Sequence, residues 1–190
     1  MVTQANINED MRMVSENLSD ADKELVKPMQ ALKLSFFFPA TIIAGYLVAL
    51  TYVKLTYTPY VNGFGDIVTF SNALSAEIAT NSFGVLFAIA MGIALYGPAL
   101  AYLSVPDKIR KTSLILSSLR GTCKKTVAVL VGLNLCIALL GATVNTIFLC
   151  VAPAMVLLSV FIVQVVVNSE ITRFGFGAVL KKINNVVKKV

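Results

Sequence analysis

The sequence predicts an all-α integral membrane protein with four transmembrane helices, an N-in/C-in orientation and amphipathic cytoplasmic helices at both termini. Three observations predict this fold. Hydrophobic residues make up 57% of the chain and charged residues 14%, long runs carry no charge at all, and Lys and Arg are concentrated in alternate connecting segments. Soluble domains carry about 25% charged residues, and the mean hydropathy here is +0.80. Lipid is therefore the expected environment of most of the chain.

Residues 1–33 predict a cytoplasmic N-terminal helical segment. They are rich in acids and contain no apolar run, so a cleaved signal peptide is not expected. Met11, Val14 and Leu18 recur at helical spacing, and Ser19-Asp20 resembles a helix start. We therefore expect two short helices before the membrane.

Uncharged runs predict the membrane spans. A helix needs about 20 apolar residues to cross a hydrocarbon core of about 30 Å, and 34–53 and 83–103 meet this length. The uncharged run 126–167 is about twice too long for one span, so it must fold back at the polar stretch 143–146. The predicted transmembrane domain covers 34–167, with spans at about 34–53, 83–103, 126–143 and 147–167.

The distribution of Lys and Arg predicts the orientation, because these residues favour the cytoplasmic side. The N-terminal segment, segment 54–82, loop 104–125, turn 143–146 and tail 168–190 contain four, one, six, zero and five of them, respectively. Both termini and the basic loop 104–125 are thus expected in the cytoplasm, and 54–82 outside. The net charge of +6 follows from this orientation, so direct nucleic-acid binding is not expected.

Small and amide residues within the spans are the candidate helix-packing or pore-lining positions. They recur at intervals of three or four residues, which places each group on one helix face. Small residues let helix backbones approach closely, and amides in lipid need hydrogen-bond partners. Two hypotheses remain open: packing between helices of one or several chains, and a polar pore at the axis of a homo-oligomer. The candidates are Gly84, Ala88 and Gly92 in the second span, Asn134, Ala138, Gly141 and Asn145 along the third, and Gln164 and Asn168 in the fourth.

The external segment 54–82 predicts a compact cap. Asn62-Gly63 is typical of a hairpin turn, whereas Pro59 disfavours a regular strand. A short helix is expected at 71–80. The cap is either structural or a surface that meets an external ligand or invading protein. Pro98 and Pro153 lie within predicted spans and are expected to kink them.

The tail 168–190 predicts a basic amphipathic helix, with valines and other apolar residues opposite a lysine face. Such a helix beside a membrane lies on anionic lipid of the cytoplasmic leaflet. The alternative is docking to a cytoplasmic protein partner or to the acidic N-terminus of a neighbouring subunit. The candidate lipid or partner contacts are Lys181, Lys182, Lys188 and Lys189.

The sequence lacks the residues that catalytic, phosphate-binding and metal-binding sites usually require. The chain has no His, and its three Cys have no paired spacing. It has no phosphate-binding loop, nucleophile elbow or metal-ligand cluster, and no charge inside any predicted span. We therefore expect no enzyme activity, catalytic residue, metal or cofactor, and proton-coupled transport and voltage sensing are disfavoured.

Three function classes remain. The first is a non-enzymatic inner-membrane sensor or anchor subunit that oligomerises and recruits or regulates a cytoplasmic partner. The second is a homo-oligomeric pore-forming or membrane-perturbing protein, and the third is an immunity or exclusion protein. In size, helix number and orientation the chain resembles colicin immunity proteins, conjugative entry-exclusion proteins and, above all, the membrane subunit of the Kiwa anti-phage system. This resemblance implies a bacterial inner-membrane location and a role in defence against phage, and it carries over no residue.

Overall fold

A computed structural model of the chain describes residues 4–18 and 27–173. These residues are helical except for one small hairpin and the connecting turns. The elements in order are α1 (Gln4–Leu18), α2 (Pro28–Thr56), β1 (Tyr60–Val61), β2 (Ile67–Val68), α3 (Phe70–Ala73), α4 (Ser75–Leu103), α5 (Asp107–Thr112), α6 (Leu114–Thr143), a 3-10 helix (Thr146–Val151) and α7 (Ala152–Arg173).

Four helical segments are long and apolar enough to cross a membrane: α2, α4, α6, and the 3-10 helix continued by α7. The prediction of an all-α membrane protein with four spanning helices is confirmed by their length and composition. The helices begin or end beyond the predicted spans. At about 1.5 Å per residue, the 29 residues of α2 and of α4 extend about 43 Å, because helical hydrogen bonding continues where the apolar sequence stops.

The four segments form a bundle in which α2 and α7 each contact both α4 and α6, and also contact each other. Its core is built mainly from α2, the 3-10 helix and α7, where Ile42, Tyr46, Leu149 and Val156 are fully buried. Large apolar side chains on the outer faces of all four segments are exposed, as expected for surfaces that contact lipid. They include Val48, Phe83, Leu139 and Phe161.

The expected basic loop 104–125 is largely helical. It contains α5, and its residues 114–125 form the first part of α6. Ser113 separates the two helices and caps α6, because its Oγ accepts a hydrogen bond from the Leu116 amide at 3.2 Å. The predicted span 126–143 is therefore only part of a longer helix, because basic residues are compatible with helix and do not mark where α6 begins.

The opposite end of the bundle carries the hairpin. Tyr60 pairs with Val68 and Val61 with Ile67 in an antiparallel arrangement, and Pro59 stands immediately before β1. The helix expected at 71–80 is instead α3 followed by the start of α4. We name the two ends of the bundle after these features, the α1 end and the hairpin end.

Of the two prolines expected inside spanning helices, one lies in a helix interior and one in a first turn. Pro98 lies inside α4, as predicted, and Pro39 lies inside α2. Pro153, however, is the second residue of α7. Proline is tolerated in the first turn of a helix because the amide it lacks has no intrahelical partner there. Pro153 therefore marks the change from the 3-10 helix to α7 and does not interrupt a helix interior.

Candidate functional site at the α1 end

The candidate site is a junction where α1 packs against α6 outside the main bundle core. Val14 of α1 is buried against Val105, Ile109, Ile115 and Leu116, and this cluster is separate from the core between the spans. Partly buried residues of α1 and α7 pack around it: Ile7, Met11, Met13 and Ile171. We call this region the α1 junction.

Asp10 is the polar centre of the α1 junction and is only 7% exposed. Its carboxylate accepts hydrogen bonds from the Ser113 hydroxyl at 2.7 Å and from the amides of Leu114 at 3.3 Å and Ile115 at 3.1 Å. The first amides of a helix have no intrahelical acceptor and carry partial positive charge. Asp10 supplies that acceptor from another helix.

Ser113 connects the two caps of α6. Its hydroxyl donates to Asp10 and accepts from the Leu116 amide, so this one hydroxyl links the serine cap to the aspartate cap. A buried carboxylate is costly unless its hydrogen bonds are made. The geometry therefore fixes the position of α1 relative to the start of α6.

Further polar side chains of four elements gather at the α1 end. Glu170 of α7 accepts a hydrogen bond from Thr122 of α6 at 3.3 Å and lies 3.7 Å from Arg173. Arg110 of α5 pairs with Asp107 and lies 5.0 Å from the centre of the Tyr102 ring of α4. Among the described residues, Arg110 Nε and Glu170 Oε2 are buried without a hydrogen-bond partner.

Within the bundle, Asn134 joins three helices. Its amide nitrogen donates to the Leu130 carbonyl at 2.8 Å and to Ser159 Oγ at 3.0 Å, and its oxygen accepts a long hydrogen bond of 3.5 Å from the Tyr46 hydroxyl. All three polar side chains are buried. Both ends of the Asn134 amide therefore have partners inside one chain.

The predicted small-residue face of α4 packs against α2 and α7. Gly84, Ala88 and Gly92 are all buried. A Cβ atom on Gly84 would lie 2.7 Å from Ile43 Cδ1, and one on Gly92 would lie 2.7 Å from the Phe36 ring. These glycines thus allow close approach of helices within the chain.

The seam predicted along α6 is present only in part. Asn134, Ala138 and Gly141 are buried on one face, and Gly141 lies against Leu149. Asn145 does not belong to this seam, since α6 ends at Thr143 and the helical spacing no longer applies. It is exposed, and its side-chain oxygen caps the 3-10 helix by accepting from the Ile147 amide at 3.0 Å.

The amides predicted on the fourth span lie on its surface. Gln164 and Asn168 are exposed on α7, and neither side chain makes a hydrogen bond within 4–18 and 27–173. This pair therefore lies on the outer surface of the described part of the chain. The predicted contacts Lys181, Lys182, Lys188 and Lys189, and the second N-terminal helix expected from residue 19, lie outside the described residues.

The hairpin end contains a second polar cluster. Glu77 accepts a hydrogen bond from Thr146 at 2.9 Å, and the Asn81 amide nitrogen donates to the Leu149 carbonyl at 3.2 Å and to the Glu77 carbonyl at 2.8 Å. These bonds tie the start of α4 to the turn between α6 and α7. Asn81 Oδ1 is buried without a partner among the described residues.

Sequence reasoning missed Asp10 and Ser113. A signal for each exists in the sequence. Asp10 falls on the apolar stripe formed by Ile7 and Val14, where an acid needs a partner. Ser113 immediately precedes an apolar helical run, which is an N-cap pattern, but the surrounding basic residues favoured the interpretation of a loop.

No protein-family model matches this chain, and no curated protein or solved structure was found to be similar to it.

Proposed function

We propose that this chain is a non-enzymatic inner-membrane sensor or anchor subunit that oligomerises and recruits or regulates a cytoplasmic partner through the α1 junction. The observation that carries the proposal is the Asp10 carboxylate at the start of α6. It couples a helix that lies outside the predicted spans to a helix that crosses the membrane. A partner that binds α1 therefore acts on α6 through the same hydrogen bonds.

The exposed side of α1 supplies the surface for such a partner. Its buried side faces the α1 junction, while Asn8, Glu9, Arg12 and Glu16 are exposed on the other side, with Arg12 and Glu16 3.6 Å apart. A polar, mixed-charge helix face suits a reversible protein contact, because polar interfaces give specificity more than raw affinity.

The proposed cytoplasmic location of α1 rests on charge. The segment 104–125, which surrounds the α1 junction, has six Lys and Arg residues, whereas 54–82 at the hairpin end has one. Positive residues in short connecting segments stay on the cytoplasmic side. The same count supports an external location of the hairpin.

Oligomerisation is supported by Gln164. The predicted apolar span ends at Val167, so Gln164 lies about one turn inside it, on a face it shares with the exposed Phe161 and Leu158. An amide exposed to lipid lacks partners, and a second copy of the chain supplies them. Hydrogen bonds of this kind between membrane helices contribute about 0.6–2 kcal/mol. Gln164→Leu is expected to lower the subunit number, whereas Val165→Leu on the same helix is expected to leave it unchanged.

The second candidate is a homo-oligomeric pore, favoured by the exposed amides of Gln164 and Asn168. Asn134 does not support it, because its amide is satisfied by Leu130, Ser159 and Tyr46. An immunity or exclusion protein is the third class. The resemblance in layout to the Kiwa membrane subunit extends the first proposal to defence against phage.

The test is the mass of the detergent-solubilised complex, expressed together with the products of its neighbouring genes. A mixed complex supports the sensor or anchor, a pure homo-oligomer supports the pore, and a monomer supports the immunity or exclusion class. Asp10→Ala is expected to release the partner from the mixed complex, and Asp66→Ala, an exposed acid at the hairpin end, is the matched control. Equal retention by both variants would place recruitment elsewhere than the α1 junction.

A further inference from the structure

The hairpin presents an apolar tip at its end of the bundle. Phe64 is 93% exposed, and the cross-strand pair Val61 and Ile67 is 64% and 66% exposed. We call these three residues the hairpin tip. Segment 55–82 contains no Lys or Arg and only two acids, Asp66 and Glu77.

The turn holds Phe64 outward. Asn62 Oδ1 accepts hydrogen bonds from the amides of Phe64 and Asp66, both at 2.9 Å, and the Asn62 amide donates to the Asp66 carbonyl at 3.0 Å. Gly65 has a φ of +87°, a conformation that glycine adopts without strain. A tightly bonded turn of this kind keeps the phenyl ring from folding back onto the strands.

Tyr57 fixes the base of the hairpin to the bundle. Its hydroxyl donates to the Val68 carbonyl at 3.1 Å, and its ring meets the edge of Phe70 at a centroid distance of 5.9 Å. Both aromatic residues pack against the main bundle core. The hairpin tip is therefore held at a defined place beside the end of α2.

The end of α2 sets the level of the hairpin relative to the bilayer. The uncharged run ends at Val53, and Lys54 beside it is exposed, as expected for a lysine whose ammonium group extends to the headgroups. α2 ends at Thr56, about 3 Å further along its axis at about 1.5 Å per residue. The headgroup layer adds about 5–8 Å on each side of the hydrocarbon. The hairpin therefore starts within the headgroup layer.

We propose that the hairpin tip inserts into the boundary between headgroups and acyl chains of the adjacent leaflet, and so binds a phospholipid surface. An exposed apolar cluster at this level is covered by lipid without any partner protein. Because the segment has no cation, the contact is apolar and does not require anionic lipid. This inference rests on the membrane fold and is independent of the proposed function.

The chain contains no Trp, so Phe64→Trp introduces a single fluorescent reporter at the hairpin tip. The full chain is placed in nanodiscs of phosphatidylcholine, and quenching by brominated acyl chains is compared with quenching by aqueous iodide. Phe83→Trp, on an exposed apolar position of α4, is the lipid reference. Glu9→Trp, on the exposed side of α1, is the water reference.

The Phe64→Trp reporter is expected to lose intensity with brominated lipid to nearly the extent of Phe83→Trp, to resist iodide, and to respond equally when anionic lipid is added. Quenching by iodide alone, as for Glu9→Trp, overturns the proposal because the tip then faces water. Resistance to both quenchers also overturns it, since a second copy or another protein then covers the tip.

A second reporter separates insertion from the preference of tryptophan itself for interfaces. The Ile67→Trp variant is measured with Phe64 intact and again with Phe64→Asp. If the native tip inserts, the added charge reduces quenching by brominated lipid and increases quenching by iodide. No change between the two proteins overturns the proposal.

Discussion

The Asp10 carboxylate and the Ser113 hydroxyl lie 2.7 Å apart although 103 positions of sequence separate them. This hydrogen bond joins the first described helix to the start of the third spanning helix. It is surrounded by the apolar cluster of Val14, Ile115 and Leu116, which keeps water from competing for it. The α1 junction therefore behaves as one unit, in which the docking of α1 and the capping of α6 depend on each other.

Asp10→Ala is expected to loosen α1. The change removes the acceptor for three hydrogen bonds, and an unsatisfied buried group costs about 1–3 kcal/mol. Hydrogen exchange of the α1 amides should accelerate by roughly 5- to 150-fold, the change in local opening that this free energy gives. Glu9→Ala is the matched control and should exchange like the wild type. Equal protection of α1 in both variants would contradict the proposed coupling.

The predicted orientation is tested by replacing two exposed serines at opposite ends of the bundle with cysteine and labelling each cysteine. In a background in which Cys123, Cys136 and Cys150 are replaced by Ala, Ser71→Cys lies at the hairpin end and Ser117→Cys at the α1 end. A membrane-impermeant maleimide added to intact cells should modify the first cysteine only. Permeabilised cells should show modification of both. The reverse pattern would mean that the α1 end faces outward.

The number of spans could be predicted because lipid imposes a length on every uncharged run, whatever the rest of the fold. The burial of Gly84, Ala88, Gly92 and Asn134 follows from the same spacing argument, since a regular helix keeps residues four apart on one face. The argument failed at Asn145, because periodicity applies only as far as the helix continues and α6 ends two residues earlier.

The α1 junction could not be predicted in the same way. The partner of Asp10 lies on another helix, and a single sequence shows that the acid occupies an apolar stripe without showing what satisfies it. The residue at which α6 begins could not be predicted for a related reason. Lys124 and Lys125 predict a membrane edge, but their long side chains are compatible with helix, so charge could not locate the start of α6 after Ser113.

Gly141→Ala is expected to destabilise the bundle more than Gly132→Ala on the same helix. A Cβ on Gly141 would lie 2.6 Å from Leu149 Cδ2 and 3.3 Å from the Leu149 backbone nitrogen, whereas a Cβ on Gly132 meets nothing within 4 Å. Leu149 is fully buried and has little room to move, and overpacking of this kind costs about 1–3 kcal/mol. Thermal unfolding in detergent measures the difference. A Tm for Gly141→Ala equal to that of Gly132→Ala would show that the 3-10 helix shifts freely.

The hydrogen bond between Asn134 and Ser159 is best tested by a double-mutant cycle. Asn134→Ala and Ser159→Ala each remove one partner of a 3.0 Å bond between α6 and α7. Interhelical hydrogen bonds in membranes contribute about 0.6 and up to about 1.7 kcal/mol, so the double variant should be less destabilised than the sum of the single variants by about that amount. The same cycle with Asn81→Ala in place of Asn134→Ala is the control, because Asn81 bonds to Glu77 and Leu149.

Additivity in the control and coupling between Asn134 and Ser159 would assign the Asn134 amide to packing within one chain. Ion flux through liposomes containing Asn134→Leu should then equal that of the wild type, since an amide bonded to Ser159 and Leu130 does not face a pore. If the losses of stability from Asn134→Ala and Ser159→Ala are additive and Asn134→Leu alters ion flux, the amide would instead line a water-filled path. That combination would favour the homo-oligomeric pore over the sensor or anchor.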